Sequence, residues 1–521
     1  MPHDISIELR PDEAVNDLAI LRAITRKLDI PTDAIRHYFI TRKSIDARKG
    51  RVMVNLGIKV FIGNEEVTEE RPVFNYRDVR SAKPIIVVGA GPAGLFAALR
   101  LIELGLKPIV VERGKAVSQR KRDIAMLNRE HQLNPDSNYA FGEGGAGTFS
   151  DGKLYTRSKK RGNFKLILQA LVDHGADPAI LYEAHPHIGT NRLPGIITRI
   201  RETILQNGGN VLFNSRVTEI ILDSGQAVGV KLADGQSLHG EALILATGHS
   251  ARDIYQMLHN QGIALEAKPF AMGVRVEHPQ ALIDAIQYHG IPRCEHLPAA
   301  SYSLVHQVDG RGVYSFCMCP GGFIVPAATG TDEVVVNGMS PSNRNSRWAN
   351  SGFVVEIRLD DLKNYAEHGV FAGLEFQAKL ERLAKQHGGY GVQAPAQRLT
   401  DFVEGRFSSN LPACSYHPGL NSSEMHLWLP EHIGSRLREG FKIFGRKMKG
   451  FLTNDAVILG VESRTSSPIR IPRNPETLQH IHIQGLFPAG EGAGYAGGIV
   501  SSALDGAIVA DAVARYTDFK S

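Results

Sequence analysis

Cysteine is scarce in this chain of 521 residues. Four occur, too few at this length for a disulfide framework. Long apolar runs are missing too: no stretch of about 18 apolar residues appears, so no spanning helix is expected. The opening Met1-Pro-His-Asp-Ile lacks a basic segment followed by an apolar one. That argues against a secretory leader and makes the cytoplasm the default compartment. There is no internal repeat and no low-complexity tract. A strong excess of one charge is also absent: the formal net charge is +5, mild for this length. It suits an anionic cofactor or small-molecule substrate and gives no footing for nucleic-acid binding. The basic runs Arg120-Lys121-Arg122 and Lys159-Lys160-Arg161 read as solvated faces.

What is present is the balance of a globular protein, with 43% hydrophobic and 22% charged residues. The length calls for two or three domains. Residues 1–78 read as a small α+β module. Apolar spacing at Ala14, Leu18, Leu21 and Ile24 predicts a helix, followed by strand character at Ile35 to Ile40 and Val52 to Ile62. The basic residues Arg42, Lys43, Arg48, Lys49 and Arg51 read as exposed surface.

From Pro84 the pattern changes. Four consecutive aliphatics between Pro and Gly predict a strand buried on both faces. They lead into Gly89-Ala-Gly91-Pro92-Ala93-Gly94, an apolar helix, and a second strand ending at Glu112-Arg113. The order strand, Gly-x-Gly-x-x-Gly, helix, strand, acid is the dinucleotide-binding arrangement. Gly89 permits the turn, Gly91 admits a pyrophosphate, and Gly94 lets helix pack on sheet. The helix N-terminus faces the phosphates, and Glu112 is placed for ribose hydroxyls. A further apolar strand ends at Ala246-Thr247-Gly248, after a run of strands in which Val217 is expected beside the nucleotide. Some 400 residues beyond the first motif, Gly485 to Gly506 reads as strand, glycine-rich turn and small-residue helix. There Gly490 and Glu491 are placed for a ribityl chain. Gly497, Gly498 and the helix start at Ile499 are placed for a flavin ring, whose negative charge on reduction a helix N-terminus stabilises.

These three motifs resemble the glutathione-reductase-like FAD oxidoreductases, in the branch with one dinucleotide fold and an inserted cap. Phe141 to Leu154, Cys317-Met-Cys-Pro-Gly-Gly, Asn350-Ser-Gly and Glu462 to Arg470 look like the bacterial proteins known only as uncharacterised FAD-dependent dehydrogenases. The resemblance covers most of the chain and implies FAD as cofactor. It assigns no substrate. Glu491 stands where many members of the superfamily carry Asp, and it still accepts a hydrogen bond.

The expected fold is therefore α/β: a Rossmann-like three-layer FAD domain from residues 79–265 and 470–521, an inserted α+β cap over 266–469, and the N-terminal module. Gly144, Gly145 and Gly147 are expected along the pyrophosphate or the ring. Lys153 reads either as a group near flavin N5 or as a surface ion pair. Cys317 and Cys319 read as cavity wall or buried thiols rather than a redox dithiol, and no second cysteine pair exists to complete a metal set. Arg464 reads either as a carboxylate clamp or as a domain-interface ion pair. No general base is assigned. The expected reaction is hydride transfer between a small organic substrate and flavin N5, with NADH or NADPH as a transient donor. An FAD monooxygenase, a flavin-bearing RNA-binding or RNA-modifying factor and a non-catalytic flavin sensor are the alternatives. A homo-oligomer is compatible with the sequence.

Overall fold

The computed structural model describes residues 2–48, 50–68, 71–155 and 163–519. Lys49 and the run Lys159-Lys160-Arg161 lie outside the described residues. The strand Pro84–Val88 is the centre of a five-stranded parallel sheet. From edge to edge its strands are Leu486–Pro488, Ala242–Leu245, Pro84–Val88, Lys107–Val111 and Asn210–Leu212. Alternate residues enter opposite cores, as the two-residue period of a strand requires. Ile85, Val87, Val110, Ile244 and Phe487 join one core. Ile86, Val88, Val111, Leu243 and Leu486 join the other.

Helices Pro92–Glu103 and Ile499–Phe519 cover the first face. A Cβ on Gly506 would lie 2.0 Å from the Ala93 carbonyl, so the two helices cross with their backbones in contact. The antiparallel strands Val217–Asp223, Gln226–Leu232 and Ser237–His239, with helix Arg252–Asn260, cover the second face. The result is a three-layer α/β fold that begins near the first glycine motif and is completed only by the last strand and helix of the chain.

A seven-stranded sheet forms the other large body. Its order is Val305–Val308, Arg311–Cys319, Trp348–Ile357, Phe270–Pro279, Val457–Glu462, Ala394–Arg398 and Leu420–Ser422. Helix Glu431–Lys447 buries Ile433, Leu437, Phe441 and Phe444 in its core, where Phe353 and Phe451 meet them.

The N-terminal module is an antiparallel sheet in the order His3–Leu9, Met53–Ile62, Ile35–Asp46, with helix Asp17–Leu28 packed on it. Every second residue of the middle strand is buried: Val54, Leu56, Ile58 and Val60. The helix buries Ile20 and Ile24, whereas Leu18 is 65% exposed. The expected apolar stripe was thus out of phase at its start: the helix begins after the Asn16 cap, and the face that packs on the sheet carries Ile20 and Ile24. The module is stitched to the larger body through Lys43, whose main chain pairs with Tyr182 and Ala184 at 2.8 Å each.

Candidate functional site

The dinucleotide motif acts through close backbone approach. Gly89 has φ +104°, and a Cβ there would sit 2.4 Å from the Ala246 carbonyl oxygen. A Cβ on Gly94 would sit 1.8 Å from the Gly89 carbonyl oxygen. Gly91 is different. The nearest atom to a Cβ there is Gly145 Cα at 3.9 Å, so the space above it is open. Gly91 is the N-cap of helix Pro92–Glu103 and provides no side-chain cap. The first-turn N–H groups, which have no intrahelical partner, face a cavity lined by Gly91, Pro92 and Ala93. That is a seat for an anion.

Glu112 is 5% exposed, and its carboxylate accepts from three main-chain amides: Ala90 at 2.9 Å, Gly114 at 2.9 Å and Gly142 at 3.0 Å. A carboxylate has about four acceptor sites, so about one remains for a ribose hydroxyl. Glu112 is first a clamp that binds the phosphate loop to the glycine loop beginning at Gly142. A second clamp is Gly144 N–H donating to Ala90 O at 2.8 Å. The third is Arg120, and here the reading of a solvated basic run is corrected. Arg120 is fully buried and donates to the carbonyls of Asn138, Tyr139, Gly142 and Glu143. Desolvation pulls its guanidinium down to about 10. A buried guanidinium that hydrogen-bonds four carbonyls, with the Glu112 and Glu143 charges nearby, is not visible in a short basic run.

The cavity runs from this end to the cap. Of the expected nucleotide residues, Gly89, Gly91, Pro92, Ala93, Glu112, Arg113, Gly145, Gly147, Val217, Ala246, Thr247 and Gly248 line it. So do Glu491, Gly497, Gly498 and Ile499 from the last motif. Gly94, Gly144 and Gly490 do not; they pack behind it. Arg113 pairs with Asp253 and lies 4.5 Å over the Phe141 ring. At the far end a Cβ added to Gly497 or Gly498 would meet nothing within 4 Å, so the loop before helix Ile499–Phe519 leaves open space. The set fits an extended dinucleotide: an anion seat at one end, a committed acid beside it, and a second helix N-terminus at the other.

Several supporting residues went unread in the sequence. Asp505 accepts from Gly490 N–H at 2.8 Å and pairs with Arg473 at 2.6 Å, fixing the turn of the third motif. An acid in the first two turns of an otherwise small and apolar stretch was the available signal. Tyr255 donates to Gly492 O at 2.7 Å. His249 sits with Nδ1 3.6 Å from Glu491 and Nε2 3.0 Å from Arg464 O, and burial lowers its pKa, so it is neutral near pH 7.

The cap supplies Phe316, Cys317, Cys319, Asn337, Gly338, Arg464 and Thr465 to the same cavity. Cys317 lies at a register break between Phe316 and Cys319, with φ 45°, a sparsely populated conformation for a non-glycine residue. Arg275, fully buried, holds it there by donating to Cys317 O at 2.7 Å. It also pairs with Glu462 at 2.9 Å and donates to Asn350 Oδ1 at 2.8 Å. Cys317 is exposed on the cavity wall, yet the protein packed around its thiol desolvates it and pushes it up to about 12. Cys319 is buried, and both thiols are free. Lys153 lies in the wall with its ammonium on Met318 O.

Arg464 donates to Glu333, Glu381 and Thr329, and Arg252 reaches Glu381 from helix Arg252–Asn260. Burial opposes the charge on Arg464, but Glu381 and Glu333 outweigh it and raise its pKa above the ordinary arginine value. Of its two sequence readings, the geometry is that of an ion pair: Arg464 is held by two carboxylates of the cap, and Arg252 crosses to Glu381 from the nucleotide body.

This fold and site define a dinucleotide-fold flavoprotein. An FAD-binding domain model matches residues 84–122, a model described as FAD-dependent protein, C-terminal domain-like, matches 269–465, and a domain of unknown function matches 1–61. An uncharacterised protein of Clostridium beijerinckii is 40% identical over 533 residues, spanning 98% of each chain. The chain belongs to that family of FAD-dependent proteins, and it is an FAD-dependent oxidoreductase. Among solved structures it is similar to CtdE in complex with FAD (13% identity, 84% of this chain, 88% of that one, TM-score 0.33). It is also similar to a geranylgeranyl bacteriochlorophyll reductase-like protein of Thermoplasma acidophilum (12% identity, 84% and 79%, TM-score 0.37). No described helix is long and apolar enough to cross a membrane.

Proposed function

We propose that the protein oxidises or reduces a small organic substrate in the part of the cavity walled by the cap. Residues 79–265 and 470–521 act as the FAD domain, 266–469 as the substrate-side cap. The observation that carries this reading is the shared cavity: Phe316, Cys317 and Asn337 of the cap face the same space as Gly91, Glu491 and Gly498. A small molecule on the cap side therefore meets the cofactor without passing through protein.

Bound FAD supplies two-electron hydride exchange at N5. The chain's own residues do the rest. The N-terminus of helix Pro92–Glu103 receives the phosphates, and Glu112 a ribose hydroxyl. Glu491, beside neutral His249, accepts from a cofactor hydroxyl. The N-terminus of helix Ile499–Phe519 favours negative charge at the ring end. The Arg464–Glu381–Arg252 cluster fixes the cap against the nucleotide body, which keeps water from the chamber. NADH or NADPH enters as a transient donor on the cap side, since the described residues hold one parallel nucleotide sheet.

The test is an anaerobic visible-absorbance titration of the purified protein with NADH, NADPH and a panel of small organic donors. Bleaching of the flavin bands by one of them is expected. Admitting oxygen then separates a reductase from a monooxygenase, which alone yields hydroxylated product. A flavin that no donor bleaches overturns the proposal.

A further inference from the structure

Charged and polar groups on the cavity wall divide into those the protein satisfies and those it does not. Arg113 is paired with Asp253, Arg464 with Glu381 and Glu333, and Glu112 with three amides. Asp151 is taken by Arg344 at 2.7 Å and by Ser340. Among the cations on the wall Lys153 is the exception. Its ammonium donates to Met318 O and, among the described residues, enters no ion pair. Asp151 lies near enough to feel its charge, but the Asp151 carboxylate is held by Arg344. An ammonium carries three donors, so two are unmatched by the described residues.

Asn337 presents a second unmatched donor. Its Oδ1 accepts from Arg275 at 3.3 Å and from Gly338 N–H at 2.7 Å. Both partners are donors only, which fixes the orientation of the amide. Its Nδ2 finds no acceptor among the described residues, in a residue that lines the cavity. Lys153 and Asn337 are neighbours through Arg275. The same guanidinium holds Asn337 Oδ1 and Cys317 O, and Cys317 precedes the Met318 whose carbonyl Lys153 grips. The Cys317 thiol, protonated near neutrality, adds a weak donor. The carboxylates near this corner are already engaged, Glu462 by Arg275 and Asp151 by Arg344 and Ser340.

We infer that this donor-only corner is a carboxylate subsite, in which Lys153 and Asn337 bind the carboxylate of an organic-acid substrate. It rests on the reading of the cap side as the substrate chamber and names the substrate class. The competing source of anionic oxygen is FAD itself. The fold places the phosphate donors at Gly91 to Ala93, on the opposite body from Asn337, and this favours the substrate.

The experiment titrates the FAD-loaded protein with sodium acetate and sodium succinate, following the flavin bands, with sodium chloride at matched ionic strength as control. A saturable perturbation by carboxylate and none by chloride is expected. Lys153→Gln should weaken it about tenfold or more, the loss of one charge-assisted contact. Asn337→Ala should weaken it less, and Lys153→Arg should restore most of it. FAD content must stay at the wild-type level in all three. Three results overturn the inference: a wild-type protein with no saturable perturbation, a Lys153→Gln variant that titrates like wild type, or one that loses FAD, which would assign the ammonium to the cofactor. Carboxylate binding in a protein that no donor can reduce would support the subsite while sinking the proposed turnover.

Discussion

The two ends of the cavity are built by different means. At the nucleotide end nearly every contact is main chain. The phosphate loop, the Gly142–Gly147 loop and the Thr-Gly turn touch backbone to backbone, and Glu112 and Arg120 serve amides and carbonyls. At the cap end the wall is held by buried charges. Arg275, Glu462, Arg464, Glu381 and Glu333 are all at most 8% exposed. The first end recognises a ligand by shape and amide direction, which any residue short of a clash tolerates. The second end is tuned by side chains, which can change without rebuilding the backbone. A constant cofactor and a variable substrate call for that division.

The largest effect expected from breaking this contrast is at Gly94. Its Cβ would lie 1.8 Å from a backbone oxygen with no flexible atom to yield. Gly94→Ala should destabilise the fold by about 4 kcal/mol or more, as severe overpacking against backbone does. Gly91→Ala has 3.9 Å of clearance and should fold with near-native stability while losing FAD affinity. Urea unfolding with FAD content measured in parallel separates the two. Equal destabilisation by both substitutions would erase the distinction between packing glycine and ligand glycine.

Next comes the cap. Removing one partner of a buried pair strands the other charge at a cost of about 3–5 kcal/mol. Arg275→Met should therefore be strongly destabilising, and adding Glu462→Leu should recover much of the loss. A double variant no better than the single one would mean that Arg275 acts through Cys317 O and Asn337 alone. Glu277, two residues along the same strand, gives the cap end a pH signature of its own. Desolvation lifts its carboxyl from 4.5 to about 7. The native state then keeps a proton that the unfolded chain releases above about pH 4.5. Stability is full below that pH and falls as pH rises to about 7, by about 3 kcal/mol at 1.36 kcal/mol per unit. Glu277→Gln, a neutral mimic that still meets Ser415, should flatten that slope between pH 5 and 8. An unchanged slope in the variant would place the titration elsewhere.

The same division decides what the sequence discloses. Strand, Gly-x-Gly-x-x-Gly, helix and acid are contiguous, so their spacing carries the geometry, and Glu112, Gly91 and Gly498 are legible. Even there the reading credited Glu112 to the ribose, when most of its acceptor capacity serves amides of two other loops. Arg120 was misread because burial depends on a loop 18 to 23 residues away. The cap wall joins Lys153, Arg275, Cys317, Asn337 and Glu462. No period or spacing links positions that distant, so sequence could suggest candidates such as Lys153, Cys317 and Arg464 but not which of them remain unpaired. Leu18 shows the same limit in miniature: helical spacing was right, but which face is buried was decided by packing on the sheet, through Ile20 and Ile24.

The smallest expected effect concerns Cys317, where sequence left redox chemistry as the weaker option. A thiol pushed up to about 12 has almost no thiolate near neutrality, and the thiolate is the reactive form. An ordinary thiol below its pKa gains about tenfold in reactivity per pH unit; Cys317 should do so only from a far lower base. Both Cys294 and Cys317 are exposed, so alkylation by iodoacetamide, mapped by mass spectrometry on the FAD-loaded protein at pH 7 and pH 9, should label Cys317 far more slowly than Cys294 through its raised pKa alone. Cys317→Ala should retain FAD and change stability by about 1 kcal/mol or less, since it removes one sulfur from an open wall. Rapid labelling of Cys317 at pH 7, or loss of turnover in Cys317→Ala with FAD retained, would move this residue from wall to chemistry. The cap end would then join the nucleotide end as part of the reacting machinery rather than its tunable boundary.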